Sequence, residues 1–296
     1  MTVGLVLGAG GSIGWAYHLG VIEGIQEATG CAPADADRVI GTSAGGAIAA
    51  SVLAGNDTEA VLVSITQPMS DRQRDEMRQS MGETRRVARL LRPQAPGMIR
   101  RGGIVGLLGL VPAGAFPTWP LRRFPTDGLD AWPPNLWIPS VRLGDGETVV
   151  FGRDRTDVDL RDVVEATSAV PGLFRPKEID GERFVDGAVA SATHADLLLD
   201  DPPDLVLIAS PMTRPGRGPV RWRAKRQLQR EVDRLRLAGS EVVVVEPTAE
   251  LMELAGGYPR TRPEAGPAIV DAARRQVVET CRALDRAARR ASGIIV

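Results

Sequence analysis

Cysteine, excess charge and long uninterrupted apolar runs are all scarce in this sequence of 296 residues, and each shortage excludes a class of protein. The two cysteines, Cys31 and Cys281, are too few for a disulfide framework and lack the spacing of a metal site, so we expect a reducing compartment and no bound metal. The 36 Lys and Arg residues nearly balance the 37 Asp and Glu residues. No overall positive field therefore favours a nucleic-acid partner.

Two apolar stretches resemble targeting segments but lack their defining features. Residues 1–10 have no basic residues ahead of the apolar run and lead straight into glycines, which favours a buried first strand over a signal peptide. Residues 102–119 contain five glycines and two prolines, whereas a membrane-spanning helix needs about 20 consecutive apolar residues. We therefore expect a cytoplasmic protein and leave open transient, peripheral contact with a membrane surface.

The first 55 residues alternate between strand and helix patterns. An apolar run at residues 3–7 predicts a strand buried on both faces, and a glycine loop at residues 8–14 precedes a helical pattern from residue 15 to about residue 28. A second short strand at residues 38–41 is followed by a helix of small residues at 44–53. This order of elements predicts a parallel sheet with a right-handed crossover.

The remaining pattern completes one α/β domain and adds an insertion. Residues 67–135 begin polar and Arg-rich and end apolar, which indicates a helical, apolar cap over the sheet. Further strands are expected at residues 136–141, 148–151, 183–185, 205–208 and 241–245, and further helices at residues 160–169, 222–237 and 268–290. The arginines and acids of residues 221–236 in the last-but-one helix predict a solvated face. We predict a single domain over residues 1–296, with a mainly parallel central sheet flanked by helices.

A G-x-S-x-G sequence, Gly41-Thr42-Ser43-Ala44-Gly45, lies between the second predicted strand and the helix after it. This is the setting of a nucleophile elbow, in which a tight strand-to-helix turn raises the serine hydroxyl above the sheet edge. The glycines suit so sharp a turn because a Cβ there would collide, and the helix directs its N-terminal amides at the serine. Ser43 is the candidate nucleophile, and a turn whose serine only caps the helix is the alternative.

The glycine loop at residues 8–14 has three candidate uses: a plain turn, a dinucleotide site or an oxyanion hole. A dinucleotide fingerprint needs G-x-G-x-x-G and an acidic residue after the second strand. Here the last spacing is one residue too long, and the second strand ends in Gly41-Thr42-Ser43 without a carboxylate. Because neighbouring parallel strands end at one edge of the sheet, we expect the loop to meet Ser43. That placement favours an oxyanion hole of backbone amides.

The serine also needs a base, and three residues are candidates. His18 lies within the first predicted helix, where a packed histidine is expected, and His194 follows a Ser-Ala-Thr stretch and is the better candidate of the two histidines. Asp186 ends a short predicted strand and precedes Gly187 and Ala188. A dehydrated carboxylate there could accept the serine proton directly. Taken alone, such an Asp-Gly pair is more often an ordinary turn.

Four motifs taken together resemble the patatin-like phospholipase family over residues 3–200. They are the glycine loop after the first strand, the sequence Gly41-Thr42-Ser43-Ala44-Gly45, the segment Ala166-Thr167-Ser168-Ala169-Val170-Pro171-Gly172-Leu173-Phe174-Arg175-Pro176, and Asp186-Gly187-Ala188. Their order and spacing are those of the family. The resemblance implies a three-layer α/β sandwich and a lipid acyl hydrolase without metal or cofactor.

The resemblance also implies roles for individual residues. Ser43 would be acylated by a lipid ester of the glycerolipid or (lyso)phospholipid class, and Asp186 would be its base in a Ser-Asp dyad. The amides of Gly10 and Gly11 would be the oxyanion donors. Gly41, Gly45, Gly187 and Ala188 match the motif positions around the dyad.

Two positions depart from the family pattern. Ala9 stands where the family loop has its first glycine, which matters little if its φ is negative. Ile13 stands where the family has Lys or Arg. The loss of that positive charge bears on the preference for phospholipids more than on hydrolysis itself.

Three alternatives and one specificity element remain open. The chain could be a catalytically silent lipid-binding or regulatory protein, a Ser-Asp-His esterase that uses His194 on an unusually short α/β-hydrolase fold, or an acyltransferase with the same residues. The apolar residues 98–121 are flanked by arginines at positions 100, 101, 122 and 123. They form either a cap packed on the sheet or a lid that meets acyl chains and anionic interfaces.

Overall fold

A central sheet of eight strands organises the protein in the computed structural model, which describes residues 1–87, 114–126, 131–214, 218–256 and 262–291. The strands are β1 (Val3–Leu7), β2 (Arg38–Gly41), β3 (Leu136–Arg142), β4 (Thr148–Phe151), β5 (Lys177–Ile179), β6 (Glu182–Asp186), β7 (Leu205–Ala209) and β8 (Glu241–Val245). The α-helices are α1 (Gly11–Thr29), α2 (Ala44–Leu53), α3 (Thr58–Thr66), α4 (Asp71–Val87), α5 (Leu160–Thr167), α6 (Pro219–Leu237), α7 (Ala249–Leu254) and α8 (Gly266–Ala291).

The strand order is β5-β6-β3-β2-β1-β7-β8, with β4 also paired to β3. Strands β3, β2, β1, β7 and β8 run parallel, with Leu5 opposite Val39 on one side and Leu207 on the other. Strands β4 and β6 pair antiparallel with β3, and β5 pairs antiparallel with β6. The prediction of an α/β fold with a mainly parallel central sheet is confirmed.

Alternating side chains of the strands enter two cores on opposite faces of the sheet, as the pleat requires. Leu5 and Leu7 of β1 belong to the larger core, which also contains buried residues of α1, α2 and α8. Val6 belongs to the second core, together with Leu228 and Val232 of α6. Helices therefore cover both faces, and the result is a three-layer sandwich.

The glycine loop is shorter than predicted because α1 begins at Gly11 rather than near Trp15. The amide of Gly14 donates to the carbonyl of Gly10 at 3.1 Å, so the first helical turn already includes Ser12 and Ile13. Ile13 is buried in the larger core, which extends the apolar face of the helix towards its start. Helix α3, helix α7 and strand β5 were also absent from the sequence prediction.

The predicted cap is described only at its two ends. Helix α4 occupies the polar start of the insertion as expected, and a 3-10 helix at Trp119–Arg123 lies near its end. Residues 88–113 and 127–130, which include most of the apolar stretch at 98–121, lie outside the described residues. The cap or lid therefore stays a prediction. Within the described ranges, no helix has the length and apolar character needed to cross a membrane.

Candidate active site

A sharp turn between β2 and α2 presents Ser43. The Ser43 backbone has φ 53° and ψ −118°, a conformation that costs a non-glycine residue about 1–3 kcal/mol and has to be imposed by its surroundings. The amide of Thr42 donates to the Leu7 carbonyl at 2.9 Å, and the amide of Ala47 donates to the Ser43 carbonyl at 3.1 Å. A Cβ on Gly45 would collide with the Leu7 carbonyl, so this turn packs directly on the backbone of β1.

Thr167, at the end of α5, holds the same turn from the other side. Its hydroxyl accepts a hydrogen bond from the Ser43 amide at 3.1 Å and donates to the Pro139 carbonyl at 2.7 Å. The side chain is fully buried. No role for Thr167 was predicted from the sequence, although it lies in the segment 166–176 that resembles the family. A hydroxyl within that run of small residues was the available signal.

The turn brings Ser43 against Asp186, which lies 143 positions later in the chain. The Ser43 hydroxyl donates to Oδ2 of Asp186 at 2.7 Å. The other carboxylate oxygen, Oδ1, accepts from the Ala188 amide at 2.8 Å, and the Asp186 amide donates to the Ala169 carbonyl at 3.0 Å. Both carboxylate oxygens are thereby fixed in position.

Burial sets the proton affinity of the Asp186 carboxylate, because the residue is only 2% exposed. Loss of water disfavours the charged carboxylate and raises its pKa to about 7, and the hydrogen bonds from Ala188 and Ser43 only partly oppose this effect. A carboxylate with that pKa is a far better proton acceptor near neutral pH than an exposed aspartate.

The loop at residues 8–10 follows β1, the strand that pairs with β2. The amides of Gly8 and Ala9 donate to the carbonyls of Ala209 and Ala192. Gly10 and Gly11 open α1, and the first amides of a helix have no acceptor within the helix itself. Gly11 has a φ of 58°, which favours glycine. The amides of Gly10 and Gly11, which are predicted to bind an oxyanion, therefore lie at the start of α1 and have no acceptor within that helix.

Close contacts join the loop and the Ser43 turn. An ideal Cβ on Gly14 would lie 3.1 Å from the Cβ of Ala44, so the first turns of α1 and α2 touch. Two helix N-termini thus meet next to Ser43, and both contribute positive potential there. Gly41 and Gly187 lie against the backbone of Gly46 and Pro139, where a side chain would not fit.

The two departures from the family loop are accommodated. Ala9 is buried, and it is absent from the residues with positive φ, so the methyl group causes no backbone strain. The side chain of Ile13 is buried in the larger core and is 2% exposed. An isoleucine at this position contributes to packing.

The structure places neither histidine against Asp186. Nε2 of His18 contacts the Gly8 carbonyl at 2.6 Å, as expected of a packed histidine, and burial lowers its pKa to about 4. Nδ1 of His194 lies 3.1 Å from the hydroxyl of Thr42, and within the described residues its Nε2 has no hydrogen-bond partner. Burial lowers the His194 pKa to about 3, so this ring is neutral at pH 7.

A buried carboxylate on α6 holds the loop that follows Asp186. The prediction of a solvated α6 face is wrong for Glu231, which is 1% exposed. Glu231 accepts hydrogen bonds from the hydroxyls of Ser191 and Thr193 and from the Ala195 amide at 3.1 Å. Burial, reinforced by the nearby charge of Asp196, raises the pKa of Glu231.

This carboxylate therefore fixes the segment whose Ala192 carbonyl binds the amide of Ala9. No local pattern predicts this role of Glu231, because its hydroxyl partners come from a distant part of the chain. Among the described residues, no group of three or more His, Cys, Asp or Glu side chains is arranged to hold a metal ion.

Fold and site together define an α/β protein that presents a buried serine and a buried carboxylate at the carboxyl edge of a parallel sheet. The chain belongs to the patatin-like phospholipase family, whose family model matches residues 5–199. This match confirms the family that the four sequence motifs predicted.

Solved structures that are similar to this chain include those of VipD and ExoU. VipD from Legionella pneumophila has 13% sequence identity and a TM-score of 0.46, and the alignment covers 95% of this chain and 66% of that one. The type III effector protein ExoU has 19% identity and a TM-score of 0.43, with coverage of 95% and 53%. This chain therefore spans less than two thirds of the length of either protein.

Proposed function

We propose that the protein is a serine-dependent lipid acyl hydrolase that cleaves carboxylic esters of glycerolipids or (lyso)phospholipids. Membership of the patatin-like phospholipase family supports lipid hydrolysis in general. The observation that carries the proposal is the 2.7 Å hydrogen bond from Oγ of Ser43 to Oδ2 of Asp186. A serine needs such an acceptor to become a nucleophile at neutral pH.

In the proposed reaction, Ser43 Oγ attacks the ester carbonyl while Oδ2 of Asp186 takes the hydroxyl proton. The amides of Gly10 and Gly11 stabilise the negative charge that develops on the carbonyl oxygen. Protonated Asp186 then gives its proton to the departing alcohol, which leaves an acyl group on Ser43. Water, deprotonated by the same carboxylate, attacks the acyl carbonyl, the bond to Ser43 Oγ breaks as Asp186 returns the proton to that oxygen, and the fatty acid is released.

Apolar side chains near Asp186 support an acyl substrate. The Asp186 amide binds the Ala169 carbonyl, and the next residues include Val170 and Leu173, which are 40% and 43% exposed. Exposed apolar side chains beside a polar site suit a ligand with an apolar chain and a polar ester. Because the side chain of Ile13 is buried and uncharged, it does not bind a charged headgroup. In this proposal, other residues recognise the headgroup charge.

Hydrolysis with Asp186 as base is favoured over two of the three alternative functions, the Ser-Asp-His esterase and the silent lipid-binding protein. A Ser-Asp-His esterase would need His194 next to Ser43 or Asp186, whereas the recorded partner of its ring is Thr42. A silent lipid-binding protein would have no use for the strained φ of Ser43, because conformations of this kind cluster at active sites.

Fatty-acid release from a panel of mono-, di- and triacylglycerols, phospholipids and lysophospholipids tests the proposal. We expect release from at least one class by the wild-type protein and none above background from Ser43→Ala. A wild-type protein that binds these lipids without hydrolysing any of them would contradict the proposal and favour the silent lipid-binding alternative.

A further inference from the structure

The first three turns of α6 expose arginines and apolar side chains together. Arg223, Arg226 and Arg230 are exposed, and so are Val220 and Trp222, each at 62%. These five residues are called the α6 basic face below. Three to four residues separate most of its members, so they share one side of the helix. The guanidinium of Arg226 lies 4.7 Å from the centre of the Trp222 ring.

The positive charge of the α6 basic face is not neutralised by acids nearby. Between Pro219 and Arg230 the helix contains no Asp or Glu. The first acid after this stretch, Glu231, is buried and accepts hydrogen bonds from the hydroxyls of Ser191 and Thr193. Within the described residues, none of the three arginines of the face has an acidic partner within 4 Å, whereas neighbouring Lys225 pairs with Glu246.

The α6 basic face lies close to the proposed active site. Ala224, on the buried side of the same helical turns, packs against Ala9 and Ala192. Pro211, shortly before the helix, lies against Gly10, where an added Cβ would be 2.9 Å from the proline ring. A helix with its side chains is about 10 Å across. The exposed arginines are therefore about one helix width from the loop at residues 8–10, which leads into α1.

We propose that the α6 basic face docks the protein on an anionic lipid surface, an inference that rests on the proposed lipid hydrolase function. Unpaired arginines are complementary to anionic headgroups. A tryptophan beside them suits the boundary between headgroups and acyl chains, because its ring is apolar and its N–H is polar. Docking here holds the loop at residues 8–10, and with it Ser43, next to the lipid surface from which the substrate comes.

Vesicle flotation tests the proposal with two vesicle compositions, phosphatidylcholine alone and phosphatidylcholine mixed with phosphatidylglycerol. We expect wild-type protein to bind the mixed vesicles and to dissociate at high salt. Each arginine held at an anionic surface strengthens binding about fivefold, so Arg223→Gln/Arg226→Gln should bind roughly 30-fold more weakly. Trp222→Ser should weaken binding to the same vesicles without changing the net charge.

The matched control is Arg282→Gln/Arg286→Gln on α8, which has the same change in net charge. Both arginines are on a helix that packs on the opposite face of the sheet from α6. We expect this control to bind mixed vesicles like the wild type. Equal loss of binding in both double variants would overturn the proposal, because total charge rather than the α6 basic face would then control binding.

Two further outcomes would also overturn the proposal. One is wild-type binding to both vesicle types with equal strength, and the other is binding to DNA or to an acidic protein with no binding to vesicles. Vesicle binding by Ser43→Ala separates this inference from the proposed function, because docking does not need the nucleophile. Hydrolysis of a soluble short-chain ester by Arg223→Gln/Arg226→Gln should equal that of the wild type, which shows that the variant is folded and active.

Discussion

The hydroxyl of Ser43 donates a 2.7 Å hydrogen bond to Oδ2 of Asp186, and both residues are buried. The same burial that isolates the pair raises the pKa of Asp186 to about 7. Removal of water from the carboxylate therefore prepares it to accept a proton near neutral pH. The Ser43 amide donates to the Thr167 hydroxyl and the Ala188 amide donates to the Asp186 carboxylate, and these hydrogen bonds hold the two residues in position.

The pH dependence of hydrolysis should report the ionisation of Asp186. Only the ionised carboxylate accepts the serine proton, so kcat/KM should rise with pH and level off above an apparent pKa of about 7. The measurement is kcat/KM for a soluble ester between about pH 5 and about pH 9. His194→Gln should keep this limb, because the low pKa of His194 leaves its ring neutral over the whole range. Loss of the limb in His194→Gln would assign the base to the histidine.

The unfolding free energy of Asp186→Asn should increase with pH relative to the wild type. Asp186 has a folded pKa of about 7, above its ordinary 3.8, so its stabilising contribution is full below about pH 4 and is lost as pH rises through 7. Asparagine is neutral at every pH and fits the same space. Urea unfolding at about pH 4 and about pH 8 should show a relative gain on the order of 4 kcal/mol. A difference between variant and wild type that is the same at both pH values would contradict the raised pKa.

Loss of the Thr167 hydroxyl should impair turnover more than binding. Thr167→Val removes the acceptor of the Ser43 amide and the donor to the Pro139 carbonyl, so the Ser43 turn loses its support on one side. We expect kcat to fall roughly 10- to 100-fold with little change in KM. Thr167→Ser keeps the hydroxyl and should restore most of kcat. If both variants lose activity equally, the methyl packing rather than the hydrogen bonds is what matters.

Glu231→Gln should both destabilise the protein and slow hydrolysis. Glutamine replaces one acceptor oxygen by a donor, so at least one of the partners Ser191, Thr193 and Ala195 is left unsatisfied. We expect a loss of about 1–3 kcal/mol in urea unfolding and a lower kcat at temperatures where the variant is fully folded.

The control for Glu231 is Asp233→Asn, an exposed acid on the same helix whose recorded partner is Gln229. Its unfolding free energy should stay within about 0.5 kcal/mol of the wild type. An unchanged kcat in Glu231→Gln would show that the loop keeps its position without the carboxylate.

Local sequence patterns predicted the parallel sheet and the residues around Ser43 because both are encoded over short distances. The apolar runs of β1, β7 and β8 and the glycines beside Ser43 are visible within a few positions. The burial of Glu231 could not be predicted in this way, because an acid among arginines has the local pattern of a solvated face. The hydroxyls of Ser191 and Thr193 that bind it come from another part of the chain. The role of Thr167, on α5, depends in the same way on Pro139, which lies on β3.

Peptide mass spectrometry after reaction with a fluorophosphonate tests the central claim most directly. The account predicts an adduct on the peptide that contains Ser43 and none on that peptide in Ser43→Ala. It also predicts labelling of Asp186→Asn that is slower by roughly 100-fold or more, since general-base assistance is lost. An adduct on a different residue, or Ser43 labelling at the wild-type rate in Asp186→Asn, would contradict it.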